Sequence, residues 1–86
     1  MCALAMGALN LKTLRSRRHR ALCAILVAAR KAAKISQHEL AAQLKVSQTQ
    51  IARIEIGERR IDVVEFIDIA KALRLDPHKV IAELSR

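Results

Sequence analysis

Within six residues the chain carries Gln48, Thr49, Gln50 and Arg53, four side chains of the kinds that read base edges in DNA. A glutamine amide can pair bidentately with adenine, an arginine guanidinium with guanine, and a threonine methyl can touch the methyl group of thymine. A polar face of this kind, taken alone, reads more readily as a solvated helix surface. The element that carries it decides the matter, because Ile51 and Ile54 recur at helical spacing on its other side.

Two short helices are expected around that face. Ser36 stands three residues before Glu39, the spacing of a capping box, in which the serine hydroxyl accepts from the Glu39 amide and the glutamate reaches back. This starts a helix over Gln37–Leu44, with Leu40, Ala41 and Leu44 inward. Ser47 is a second N-cap and starts a helix over Gln48–Glu55. Gly57 is placed to end it in a left-handed conformation. Only Lys45-Val46-Ser47 separates the two, the layout of a helix-turn-helix. Close crossing of the pair demands a small residue in the first helix, and Ala41 supplies it. Leu40, Leu44, Val46, Ile51 and Ile54 sit where apolar contacts must hold the angle. The first turn of the second helix then enters the groove.

Neither helix is long enough to be stable alone, so neighbours are required. The run RALCAILVAARKAAK, with Leu22, Ile25, Leu26 and Ala29 on one stripe, predicts a helix ending near Lys34. Asp62 caps a fourth, in which Val63, Phe66, Ile67, Ala70 and Leu73 repeat at helical intervals. Asp76-Pro77 is an N-cap followed by proline at the first helical position, starting a fifth helix through Leu84. The expected fold is all-α, a compact five-helix bundle with a central helix-turn-helix and an aliphatic core around one aromatic residue. Residues 20–86 form this DNA-binding domain. Residues 1–19 form a basic extension, flexible or partly helical, whose run Arg15–Arg20 is either an arm on DNA or a solvated helix start. Met6 offers an alternative start site.

Charge supports a polyanionic partner. The net charge is +8, and residues 1–60 hold twelve Lys and Arg against three acids, whereas residues 61–86 hold four against five. One end of the molecule therefore attracts nucleic acid and the other does not. Cys2 and Cys23 form no C-x-x-C pair, and His19, His38 and His78 are scattered, so no metal site, cofactor or catalytic centre is expected. Cys23 falls in an apolar helical run and is expected to pack as a small hydrophobe. The apolar stretch MCALAMGALNL precedes the basic residues, the reverse of a signal peptide, and is too short to span a membrane. A cytoplasmic protein is expected.

The stretch over residues 22–84 resembles the phage-repressor/Cro (Xre-type) family of helix-turn-helix regulators. The resemblance rests on Ser36-Gln37 with Glu39-Leu40-Ala41, on Ile54-Glu55-x-Gly57 and on Ala70-Lys71-Ala72-Leu73. It implies a lambda-repressor-like DNA-binding domain that acts on transcription, usually as a symmetric dimer. It also implies that Gln37 contacts a phosphate and bonds Gln48, and that Arg30 pairs with Glu55 while lying near a phosphate. The turn residue that is often glycine in the family is Lys45 here, which implies strain or a changed shape and adds a candidate phosphate contact. Ile56 replaces a commonly polar, backbone-contacting residue and suggests apolar packing, at a dimer interface beside Ile61. Glu58 stands where a basic residue is frequent, but Arg59 and Arg60 follow and are expected on phosphates, as is Ser47.

The function expected from the sequence is sequence-specific recognition of double-stranded DNA by a homodimeric repressor. Gln48, Thr49, Gln50 and Arg53 would read bases; Gln37, Lys45, Ser47, Arg59, Arg60 and Arg30 would hold phosphates. No small-molecule ligand is expected. One alternative is an antitoxin that uses the same module and also binds a partner protein. Another is a helical interaction domain without DNA binding, which the basic bias disfavours. An enzyme is the least favoured reading, since no nucleophile–base pair is visible.

Overall fold

The computed structural model describes residues 16–86; the expectations for residues 1–15, including the start site and most of the basic extension, lie outside the described residues. Five helices follow one another: α1 (Arg17–Ala32), α2 (Gln37–Leu44), α3 (Gln48–Glu55), α4 (Val63–Ala72) and α5 (Pro77–Leu84). Among the described residues there is no strand.

Each helix starts where a short polar side chain meets the free amides of the first turn. The Ser16 hydroxyl accepts from the His19 amide at 3.0 Å, so α1 begins inside the basic run, and His19 is already buried. Ser36 with Glu39, Ser47 with Gln50 and Asp62 with Glu65 each form a reciprocal capping box. Asp76 caps α5, with Pro77 at its first position. These caps are local chemistry, each worth about 1 kcal/mol.

The helix ends are less conventional. Four of them close through a residue with positive φ: Lys34 (61°), Lys45 (58°), Gly57 (83°) and Arg74 (59°). The following amides return to carbonyls five residues back, Ile35 to Arg30, Val46 to Ala41, Glu58 to Arg53 and Leu75 to Ala70, the Schellman pattern. Only one of the four is glycine. A side chain in this region costs on the order of 1 kcal/mol, and the bundle carries that strain at two lysines and an arginine. The first helix accordingly ends at Ala32 rather than near Lys34, because Lys34 has already left the helical region.

The core joins all five helices. Leu26 of α1, Leu40 and Ala41 of α2, Ile51 and Ile54 of α3, Phe66 and Ile69 of α4, Leu73 just after it and Val80 of α5 are buried together. The small Ala41 lies in this core as the crossing of α2 and α3 requires. Cys23 is also buried, its sulfur 3.6 Å from His19 Nε2, and burial pushes its thiol above the ordinary range. It packs as a small apolar residue. Val63 departs from expectation: it is 71% exposed. It occupies the first position of α4, one turn before the stripe of Phe66, Ile69 and Ala70 meets the core. Helix α3 packs on α1 and α2, and α2 also packs on α4, which holds α3 between neighbours with its outer side open.

Candidate nucleic-acid interface

The two isoleucines that bury α3 set the direction of everything else on it. Ile51 and Ile54 face the core, and at 3.6 residues per turn the opposite side carries Gln48, Thr49 and Arg53. All three are exposed. Half-buried Ala52 falls between Gln48 and Thr49 on the same side and brings a methyl group to the face. Its i+4 spacing from Gln48 was the signal that could have identified it.

Gln50 stands apart from these residues. It turns toward α4, where with Leu44, Val46 and Asp68 it lines a cavity of about 70 Å³. Its Oε1 accepts from the Ser47 amide at 3.3 Å, and its amide donates to Ser47 Oγ at 3.2 Å. The side chain thus serves as the far half of the α3 cap, leaving its Nε2 for other contacts. Ser47 likewise uses both its amide and its hydroxyl in that cap.

Gln48 sits at the end of a chain of hydrogen bonds that begins on α1. Arg30 donates to Glu55 from Nε at 2.6 Å and from Nη2 at 3.2 Å. Its Nη1 donates to the Ile35 carbonyl at 2.9 Å. Glu55 Oε1 also accepts from Gln37 Nε2 at 2.9 Å. Gln37 Oε1, oriented by that bond, accepts from Gln48 Nε2 at 3.5 Å, the longest link. The ion pair is largely out of water, with side chains 12% and 7% exposed. One carboxylate therefore ties α1, α2 and α3 together beside the outward face of α3.

The basic residues divide by partner. Arg59 is engaged: Nη1 and Nη2 reach the two Glu65 oxygens at 3.3 and 2.8 Å, and Nη1 also donates to the Arg60 carbonyl at 3.0 Å. This pairing raises the Arg59 pKa and holds the Glu65 carboxyl below its ordinary value. Arg60 and Lys45 are exposed, and among the described residues neither meets a carboxylate. Arg30 spends a hydrogen of each guanidinium nitrogen within the protein, keeping one on each Nη. Glu65, which captures Arg59, was the participant that spacing alone did not reveal.

The helix-turn-helix fold is shared with known proteins. The helix-turn-helix family model matches residues 26–80, from within α1 to within α5. A solved structure, an XRE-family like protein from Pseudomonas syringae pv. tomato str. DC3000, is 40% identical. It superposes with a TM-score of 0.78, covering 86% of this chain and 90% of that one. The chain belongs to the XRE-type helix-turn-helix family. No curated protein matches it. As a family member it is a DNA-binding transcription regulator. No described helix is long and apolar enough to cross a membrane.

Proposed function

We propose that this XRE-type protein is a cytoplasmic repressor that binds a palindromic operator as a homodimer. The observation that carries the reading is the hydrogen-bond chain ending at Gln48. With one Nε2 hydrogen directed to Gln37, Gln48 keeps its Oε1 and its second Nε2 hydrogen for the groove. That acceptor–donor pair matches adenine N6 and N7. A side chain already restrained loses less freedom when it meets a base.

Thr49 and Arg53 complete the outward face and read the neighbouring bases, and Gln50 reaches the edge of the site through its Nε2. Arg60, Lys45 and Gln37 supply phosphate contacts, which give most of the affinity. Ser47 lies at the phosphate side of the turn, while Arg59 and Arg30 act mainly by holding loops and helices in place. A reading helix of eight residues covers few base pairs, so two copies on half-sites about 34 Å apart are needed for a selective site. Occupancy of such a site excludes polymerase from the same DNA, which makes repression the expected outcome.

Selection of bound sequences from random duplex DNA tests this reading. An inverted repeat with a conserved adenine in each half is expected, together with lower transcription of a reporter carrying it. Enrichment of nothing at low salt would remove the reading altogether.

A further inference from the structure

Helix α4 packs on α2 and α5, whereas α3 leans on α1 and α2. The gap left between α3 and α4 is the cavity of about 70 Å³ that Gln50 lines. Its walls are the aliphatic side chains of Leu44, Val46, Ile51, Ile54 and Ile69. Of the charged residues lining it, Arg59 and Glu65 engage each other. Asp68 is exposed and joins no ion pair among the described residues. Leu44 and Asp68 also border an open groove that continues to Lys45 and Lys71. Both lysines are exposed, and no ion pair closes either of them onto Asp68. An apolar hollow thus adjoins a polar one, with a carboxylate where they meet. Apolar walls with a few convergent polar groups are the make-up of a small-molecule site.

We infer that this double hollow binds a branched aliphatic α-amino acid, and that the bound ligand weakens the hold on DNA. The second half rests on the DNA-binding reading above, and the first does not. Each part of the ligand is set by a part of the site. An apolar cavity of ~150 Å³ takes benzene, so this one takes roughly half as much, a branched tail of about three or four carbons. The ammonium pairs with Asp68 where the hollows meet. The carboxylate lies between Lys45 and Lys71, whose two charges outnumber the one on Asp68. An aliphatic amine would leave the lysines unmatched, and an aliphatic acid would leave Asp68 so. Alanine would leave the apolar walls bare.

Lys45 sets the sign of the coupling. It closes α2 at the turn into α3, where its charge serves the phosphate backbone in the reading above. A ligand carboxylate held against it cancels that charge, so amino acid and DNA oppose each other's binding by the same factor. The aliphatic tail meanwhile touches Val46 in the turn and Gln50 and Ile51 on α3. The ligand therefore reports directly to the element that meets DNA.

The test is a titration of the full-length protein, free of DNA, with L-leucine, followed by amide and methyl NMR shifts. Saturable shifts should centre on Leu44, Val46, Gln50 and Ile69, with a dissociation constant of about 1 mM or tighter. 3-Methylbutylamine, 3-methylbutanoate and L-alanine should each bind about tenfold more weakly or worse. Asp68→Asn should weaken leucine and the amine alike, whereas Lys71→Gln should weaken leucine and spare the amine. Thermal melting checks that both variants fold. Shifts centred elsewhere, equal binding of alanine, or full leucine affinity in both variants would overturn the site. Saturating leucine should then weaken binding of the selected operator about fivefold in wild type, and Lys45→Gln should lose most of that response. Operator affinity unmoved by saturating leucine would overturn the coupling. Because the titration is made without DNA, failure to select any operator would strike the DNA-binding reading and leave the site standing.

Discussion

Arg30 grips both carboxylate oxygens of Glu55, two residues 25 positions apart, and so pins α1 to the last residue of α3. The same carboxylate holds Gln37, and Gln37 accepts from Gln48. Arg30 is thus linked through Glu55 and two hydrogen bonds to Gln48, the side chain proposed to read a base. Its guanidinium is fixed in turn by the Ile35 carbonyl just before α2.

Removing either member of this pair leaves a charge stranded in a mostly dry site. Arg30→Ala or Glu55→Ala should each lower stability by about 3–5 kcal/mol, measured by urea denaturation. A double-mutant cycle should return a coupling well above the ~0–1 kcal/mol of a surface pair. Coupling near zero would show that the two residues are held independently.

Gln48→Ala should cost about 1–3 kcal/mol on the selected operator and relax preference at one or two base pairs. Gln37→Ala should blur the same positions to a smaller degree, because it frees the Gln48 amide without deleting it. Affinities for operators substituted at every position would separate the two effects. An unchanged preference profile for Gln48→Ala would contradict its assignment as a reader.

Adjacent Arg59 and Arg60 should behave differently. Arg60→Ala should weaken binding evenly across sequences and reduce the slope of log K against log salt by about one. Arg59→Ala should mainly loosen the α3–α4 turn, lowering the melting temperature with a smaller change in slope. Equal slope changes would mean that Arg59 leaves Glu65 for phosphate on binding.

Stability should fall in acid. The Glu65 carboxyl is held below its ordinary value by Arg59, and that of Asp76 by the amide of His78. A depressed folded-state value adds stability above the unfolded pKa, and that stability is lost as pH falls through the folded value. The loss should begin near pH 5 and deepen below it. Glu65→Gln should lower stability at pH 7 and flatten this dependence in denaturant titrations at successive pH values; an unaltered profile would count against the pair.

Arg74, left-handed at the turn after α4 and remote from the reading face in sequence, should tolerate glycine. Arg74→Gly should raise stability by about 0.5–1 kcal/mol with operator affinity little altered. A fall in stability would mean that its side chain contributes more than its backbone costs.

Ser36, Ser47, Asp62 and Asp76 marked four helix starts in the sequence, because a cap involves only residues within three or four of one another. The helical spacing of Leu40, Ala41, Ile51 and Ile54 likewise gave the buried sides of α2 and α3, and with them the outward direction of Gln48, Thr49 and Arg53. The link between Arg30 and Glu55 came from family resemblance, since nothing local connects residues so far apart.

Other features depended on which side chains the packed helices brought together. Nothing in the composition of Lys34 announced a left-handed residue, and periodicity placed Val63 inward although α4 meets the core only from its second turn. That Gln50 lines the cavity beside α4 while its Oε1 closes the cap at Ser47 appeared only once the helices were packed. Arg59 and Arg60 were equivalent as a dipeptide, and the arrival of Glu65 on α4 separated them. Local hydrogen bonding and apolar spacing are written along the chain and determined the helices and the outward face of α3. The choice of partner for a long polar side chain depends on distances across the fold, and only the tertiary structure decided it.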